Sequence, residues 1–506
     1  MTPRRRTQKS DRPTRWWRRK TAVIDESLPV DTRRDLLVIS DMHLGEDCKP
    51  KRNLFSLRRL LRMEANLVAF LDHHRIHRSA GRPWRLVING DMIDFPHVHL
   101  ASEVNEANSD LRRFGRGSNP GGSVAKLDRV VGRHAAFFEA LARFVSAGHH
   151  VEIVCGNHDI ELHWPCVQTA FRLHLACQSG EAPSSWRDAD SRVTFHDWFY
   201  LEPGRIYIEH GHQYDATSSW EHFLDPRTSG SGKEIVLNLS SAMIRYFANL
   251  EPAMDPHGQH RWTPLRYVRW AFREGPSGTW RIFLRFVGLA TRLAELWRLQ
   301  AGVHRDAVLK KLHGDRLVAT ARRVGVDVET LRTLDGFRRR PVTWSLLSVA
   351  QVLYFDRIGI WLAAGLLGVV LPTIGLLDWS WGLLMILPIA VAIDHALSLG
   401  RNLNPGKGLQ LAAARIRDLV EVPVVAFGHT HDPIQVELDG GWYFNTGTWL
   451  DGQDAGDGVP FTYLCVRQQD DAIDASLLQW GAAGSRGEGL GPVRIPMPPA
   501  GIRYIA

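Results

Sequence analysis

Two kinds of apolar run alternate along the 506 residues. Short ones, rich in Val and Ile and closed by Gly or polar residues, lie at 36–39, 86–88, 151–155, 206–208 and 422–427. They predict buried strands. Helix-period stretches at 55–73 and 124–145 separate the first three. Strand–helix–strand–helix–strand order predicts right-handed crossovers and a largely parallel sheet.

The second kind is one long apolar block. Residues 358–377 carry no charge, close to the ~20 residues that cross a ~30 Å hydrocarbon layer. After Asp378, residues 379–393 are again uncharged, interrupted by Pro388 and closed by Asp394. Trp361, Trp379 and Trp381 suit an interface, and Arg338, Arg339, Arg340, Arg357, Arg401 and Lys407 lie outside the block. The short connection carries no positive charge, which is the pattern of a transmembrane hairpin with both ends on the cytoplasmic side, the inner membrane in a bacterium. The alternative is an apolar hairpin packed inside the protein. The moderately apolar stretch 342–355 is read as interfacial.

Composition narrows the picture only a little. With 44% hydrophobic and 23% charged residues the chain is globular, and Lys+Arg exceed Asp+Glu by 62 − 54 = 8. That balance admits an anionic partner without singling out nucleic acid. Residues 304–336 have the size of a small helical DNA reader but no base-reading signature, so nucleic acid is not expected. Five cysteines without a CxxC pair argue against a disulfide scaffold or a thiolate zinc site. Residues 1–33 are a basic tail, read as disordered, with no apolar run of the secretory type. In the Arg- and Trp-rich region 260–340, Phe283, Phe286, Val287, Ala290, Leu293 and Trp297 recur at helical spacing among Arg281, Arg285, Arg292 and Arg298. The helix is either an ordinary amphipathic one with a solvated basic face, or one that lies on a membrane or grips an anionic headgroup.

The chemistry lies where the short strands end. In order come Ser40-Asp41-Met42-His43, then Asn89-Gly90-Asp91 with Asp94 close behind, then Gly156-Asn157-His158-Asp159, Glu209-His210-Gly211-His212 and Gly428-His429-Thr430-His431. Each alone is compatible with turn chemistry. Five in succession at the C-terminal ends of strands mark the edge where an α/β sheet collects ligands. Asp, His and Asn without thiolate suit Mn, Fe, Zn or Mg. The donors are too many for one tetrahedral ion and enough for two ions sharing a bridge. Such a pair, ~3.5–4 Å apart, suits hydrolysis of a phosphate ester or anhydride.

This ordered set resembles the calcineurin-like metallophosphoesterase superfamily over about residues 35–214 and 421–466. The resemblance implies an α/β fold of the αββα kind, two mixed sheets flanked by helices. It implies that Asp41, His43 and His431 hold one divalent metal, that Asn157, His210 and His429 hold the other, and that Asp91 bridges them. Manganese is expected first, with iron, zinc or magnesium as alternatives. It further implies that His158 steadies phosphoryl oxygens or protonates the leaving group, that Asp159 orients His158, and that the nucleophile is a metal-bound hydroxide. Residues 443–449 resemble the strand and turn after the last motif. His212 is the weaker candidate beside His210. Cys155 is read as a core residue, and His73, His74, His97, His99, His149 and His150 as surface or loop histidines.

More than two hundred residues separate His212 from Gly428, so the catalytic unit carries an insertion. His210 and His429 must share one side of any bilayer, and the chain between them therefore crosses an even number of times. The expected organisation is tail 1–33, catalytic unit 34–215, basic helical insertion 216–340, apolar hairpin 341–400, the rest of the catalytic unit at 401–480 and an extension at 481–506. The insertion's place is distantly similar to the helical lid of UDP-2,3-diacylglucosamine pyrophosphohydrolases, although that family usually has Arg in place of His158. The expectation is a membrane-surface phosphohydrolase acting on a phosphate-bearing lipid- or nucleotide-linked substrate. Residues 103–122 are expected to form another wall of the cleft. The alternatives are a soluble phosphodiesterase or nuclease whose apolar hairpin is a dimer contact, and a membrane scaffold with a relict metal fold. Oligomeric state is not indicated.

Overall fold

The computed structural model describes residues 34–48, 54–100, 109–179, 192–229, 232–251, 264–376, 378–399, 405–450, 460–469, 472–481 and 492–494. The tail 1–33 and most of the extension 481–506 lie outside them. The chain begins with alternating strands and helices: β1 (Leu36–Ile39), α1 (Leu54–Ile76), β2 (Arg85–Asn89), α2 (Ser109–Phe114), α3 (Pro120–Arg133), α4 (Ala135–Ser146), β3 (His150–Val154), α5 (Pro165–Ser179) and β4 (Val193–His196). As the pattern predicts, β1, β2 and β3 are parallel neighbours, and β4, which the pattern missed, continues them in parallel. A hairpin follows, β5 (Phe199–Glu202) and β6 (Ile206–Glu209), and then the helical insertion. It comprises α6 (Leu239–Tyr246), α7 (Pro264–Arg273), α8 (Gly275–Arg305), α9 (Ala307–Val324), α10 (Val328–Asp335), α11 (Leu346–Val352), α12 (Phe355–Thr373) and α13 (Trp379–Leu399). The chain returns through α14 (Pro405–Val420), β7 (Val424–Phe427), β8 (Pro433–Leu438), β9 (Gly441–Thr446), β10 (Thr462–Gln469), β11 (Ala472–Trp480) and β12 (Pro492–Arg494).

Both sheets are mixed. One has the order β12-β11-β10-β1-β2-β3-β4, with β10 to β12 antiparallel, and the other β5-β6-β7-β9-β8. Period-two alternation gives the central strands β1 and β2 apolar residues on both faces. Leu36, Val38 and Val87 meet Ile206, Ile208, Val424, Ala426 and Phe444 between the sheets. Leu37, Ile39, Leu86 and Ile88 face the helices through Leu67, Phe70, Phe138 and Leu141. Burying one such side chain is worth about 1.5–3 kcal/mol, so a one-residue slip that swaps faces is strongly disfavoured. This register brings the C-terminal ends of β1, β2, β3, β6 and β7 to a common edge, where all five motifs sit.

Several expectations need correction. The helix expected over 124–145 is two helices broken at His134, two residues after Gly132. His134 turns inward, fully buried; its Nε2 accepts from the Gly45 amide at 3.2 Å and its Nδ1 lies 3.3 Å from Glu64 Oε2. His74, His97 and His149 are buried as well. His74 Nδ1 bonds the Phe70 carbonyl at 2.9 Å, and the Trp84 amide donates to His149 Nδ1 at 2.9 Å. Burial lowers their pKa values to about 3 and about 4, respectively.

Helix α8 forms where expected, and its expected apolar stripe splits: Leu293 is buried and Phe286 packs on the core of the insertion, whereas Phe283 and Val287 do not. Ile282, Leu289, Leu293 and Leu296 are buried, whereas Phe283 and Val287 face solvent. Its arginines are partly engaged within the protein: Arg281 and Arg285 pair with Glu251, and Arg292 with Asp110 and Glu295. They are therefore not a free basic face. Helices α9 and α10 bury Leu317, Ala321, Leu331 and Leu334 in the main core.

The apolar hairpin is not packed inside the chain. Helix α12 is the one described helix long and apolar enough to cross a membrane by length and composition, and only 6% of its apolar window is buried. The apolar stretch of α13, Leu384–Ser398, is shorter. Arg357, near the start of α12, pairs with Asp394, near the end of α13, so the two helices run antiparallel and leave the body together.

Candidate metal centre

Five of the nine non-glycine residues with positive φ among those described are Asp41 (54°), His43 (49°), Asp91 (51°), His429 (70°) and His431 (60°). Left-handed backbone at such residues costs about 1–3 kcal/mol each and survives only where the surroundings enforce it. The enforcement is visible. The Thr448 hydroxyl and the Trp449 amide donate to the Asp41 carbonyl, at 2.9 and 3.2 Å. Asn445 donates to the Gly428 carbonyl at 2.6 Å and accepts from the Gly447 amide. The strand and turn of residues 443–449 thus brace both the first and the last motif.

Two glycines permit close approach. A Cβ on Gly156 would stand 2.3 Å from Asp91 Oδ1 and 2.4 Å from the Asp91 backbone nitrogen. A Cβ on Gly428 would stand 2.6 Å from Asp41 Oδ2. Because Gly156 meets backbone, no rotamer change relieves the clash. Gly156→Ala is therefore expected to displace Asp91 and lower turnover by roughly 10²-fold, the scale expected of a ~1 Å misplacement. Parallel assays of turnover and bound metal check this; wild-type values for both would contradict it.

The donors gather in overlapping groups whose ligand atoms lie within 4.8 Å of one another: Asp41, His43 and His431; His43, Asp91 and His158; and Asp91, His210 and His429. His43 Nε2 is 3.1 Å from His431 Nε2, which is 3.2 Å from Asp41 Oδ1. His210 Nε2 is 3.2 Å from both Asp91 Oδ2 and Asn157 Oδ1. Asp91, shared between groups, sits in the middle. All seven expected ligands come together.

The hydrogen bonds behind the rings fix which nitrogen faces inward. His210 Nδ1 lies 2.8 Å from the Asn89 carbonyl, which can only accept, so Nδ1 carries a proton and Nε2 faces two oxygen acceptors. His43 Nδ1 lies 3.2 Å from Asp94 Oδ2, leaving its Nε2 for the centre. His429 Nε2 lies 3.1 Å from Asp215 Oδ2, leaving its Nδ1. Ring nitrogens and carboxylate oxygens therefore converge on one another, and the arrangement calls for positive charge. Burial alone would raise the Asp41 carboxyl, yet His431 and His210 hold it down at about 2. Burial alone would lower His210, yet Asp91 and Asp41 raise it to about 10. Hard oxygen and imidazole donors of this kind fit divalent Mn, Fe, Zn or Mg, and the set does not distinguish among them.

His158 stands beside the centre with its Nε2 4.0 Å from Asp91 Oδ2. Its expected partner is not Asp159. Both oxygens of Asp159 are taken by backbone amides, Gly156 at 2.6 Å and Met92 at 2.9 Å, so this carboxylate pins the third motif to the second. Asp94 Oδ1 instead lies 3.0 Å from His158 Nδ1. Burial opposes charge on His158, but Asp94 and Asp91 outweigh it and raise its pKa to about 9. Asp94 Oδ2 also lies 2.8 Å from Nδ1 of buried His97. Asp94, His97 and Asp215 are the site residues that sequence reasoning passed over. Asp94 had one signal, its place three residues after Asp91; the pairing of Asp215 with His429, 214 positions away, had none.

His212 is buried but turned aside, its Nε2 2.8 Å from Gln213 Nε2, and burial drives its pKa well down. Cys155 is a core thiol whose Sγ lies 3.4 Å from His163 Nδ1. Of the expected cleft wall at 103–122, residues 103–108 lie outside those described; the remainder is clasped by the insertion, with Arg245 donating to the Gly115 and Arg116 carbonyls.

No family model and no curated protein matches this chain. Among solved structures it is similar to a double mutant of Vps29 from Entamoeba histolytica, with 18% identity over 17% of this chain and 47% of that one, at a TM-score of 0.13. The chain thus spans less than half the length of that Vps29. It is also similar to a phosphopantetheinyl hydrolase, PptH, from Mycobacterium tuberculosis, with 11% identity over 82% of this chain and 90% of that one, at a TM-score of 0.21. Both likenesses are remote, and neither assigns an activity to the centre.

Proposed function

We propose that the chain is a dinuclear metal-dependent phosphohydrolase that cleaves a phosphoester or pyrophosphate bond at a membrane surface. The supporting observation is the convergence of seven oxygen and imidazole donors in two groups that share Asp91. Asp41, His43 and His431 would hold one cation, Asn157, His210 and His429 the other, with Asp91 between. Bound there, divalent cations supply Lewis acidity toward a phosphoryl group and a lowered pKa for water.

The chain's own residues supply the rest. His158, held at Nδ1 by Asp94, presents Nε2 toward the centre, where it can hydrogen-bond a phosphoryl oxygen or give its proton to the departing one. Asp94 keeps His158 and His43 in their tautomers and acts through them as a positioning residue.

The membrane part of the reading rests on the exposed apolar helices α12 and α13. A spanning hairpin leaves the catalytic face on the cytoplasmic side and within reach of lipid- or nucleotide-linked phosphates. It predicts that carbonate washing leaves the protein in the membrane pellet; release into the supernatant would favour a soluble enzyme whose hairpin is a dimer contact. The reaction is tested by a screen of the detergent-extracted protein supplied with Mn against nucleotide diphosphate-sugars, lipid phosphates, cyclic nucleotides and DNA. Turnover of one of the first two that chelator abolishes and Mn restores is expected. No metal-dependent turnover of any of them would sink the proposal.

A further inference from the structure

Helix α8 has two apolar stripes, and the body of the protein covers only one. Opposite the buried Ile282, Leu289 and Leu293, the residues Trp280, Phe283, Leu284 and Val287 recur at the i, i+3, i+4, i+7 spacing of one helix face, all exposed, Trp280 by 61%. Phe272, on α7 across the turn at Gly275, adds a fifth apolar side chain, exposed by 69%. The uncovered stripe is confined to the first half of α8. Farther along the same face, Thr291, Glu295 and Arg298 are exposed, with Leu299 beside them as a lone exposed apolar residue. That first half adjoins the root of the hairpin, because Phe286 packs on Phe355, the first residue of α12, with ring centroids 4.9 Å apart.

The charge beside the patch indicates what covers it. Arg269 and Arg273 of α7 are exposed, whereas Arg281 and Arg285 of α8 are committed to Glu251. A second copy of the chain laid on this face would bring the α7 arginines against their own kind. An anionic bilayer meets both the aromatic stripe and the arginines.

We infer that the α7–α8 elbow is an interfacial membrane contact that seats its aromatic stripe among the acyl chains and its α7 arginines on anionic phospholipid headgroups, beside the point where the hairpin enters. This rests on the membrane reading of the hairpin. The elbow thereby fixes the tilt of the catalytic body over the lipid surface. Each exposed arginine near an anionic surface strengthens the contact about five-fold.

The test reconstitutes the full chain into nanodiscs of phosphatidylcholine alone or of phosphatidylcholine with phosphatidylglycerol. Trypsin cleavage after Arg269 and Arg273 is then followed by mass spectrometry. Cleavage about ten-fold slower or more in the anionic discs is expected, with the protection lost in the triple variant Phe272→Ser, Trp280→Ser, Phe283→Ser, whose fold is checked by circular dichroism. Equal cleavage rates in the two discs, or full protection in the triple variant, would overturn the assignment. Carbonate flotation of the same protein from vesicles separates the two readings. Flotation with equal cleavage removes the elbow contact and keeps the hairpin; failure to float removes both.

Discussion

Asp91→Ala is expected to abolish metal-dependent hydrolysis, a fall of roughly 10⁴-fold or more, as when one member of a tightly coupled catalytic unit is lost. The expectation follows from its position. Asp91 Oδ2 faces His210 at 3.2 Å and His43 at 3.9 Å, and Asp91 Oδ1 accepts the His158 amide at 2.8 Å. One carboxylate thus serves both proposed metals and shapes the third motif. Burial would raise its pKa, but His210 and His158 hold it well below the ordinary carboxylate range, so it carries its charge into the centre. Asp91→Asn keeps the shape and removes the charge. Its activity should fall between wild type and alanine, and the two variants together separate charge from packing.

His158→Ala is expected to lower turnover by ~10²–10⁴-fold, the usual weight of one positioned acid or base, while metal content stays near wild type. Asp94→Asn should behave differently although it touches no proposed metal. It leaves one acceptor oxygen for two histidines, His158 and His43, whose Nδ1 atoms each face a carboxylate oxygen of Asp94, and it turns an N–H donor toward the other. Turnover should therefore fall as in His158→Ala, and metal affinity should fall by ~10–100-fold as well, as for outer partners of ligating histidines. Metal titration alongside turnover distinguishes the two. Wild-type behaviour of Asp94→Asn in both would contradict the positioning role.

The candidate ligands were legible because each of the five motifs is local: a few residues leaving a strand, in four of the five with a glycine that lets them turn. Their convergence followed from strand order, since every motif follows the C-terminal end of a strand whose direction the pattern predicts. What lay behind the ligands was not legible. Asp215 reaches His429 only because β6 and β7, far apart in the chain, are parallel neighbours in one sheet, and Asp159, adjacent in sequence to His158, spends both oxygens on backbone amides. Periodicity also failed to choose between the faces of α8. Phe283 and Val287 follow helical spacing as well as Ile282 and Leu289 do, and burial depends on what packs alongside. The break at His134 had a signal in Gly132, two residues earlier, and its buried imidazole, serving the Gly45 amide, holds the turn in place.

The most direct test is the metal content of the purified full-length protein after loading with Mn and removal of unbound ion, read by elemental analysis beside Asp91→Ala. Two ions bound per wild-type chain and near-complete loss in the variant are the predicted result. A wild-type chain that binds no metal, or an Asp91→Ala chain that keeps both ions, would contradict a centre built around that shared carboxylate.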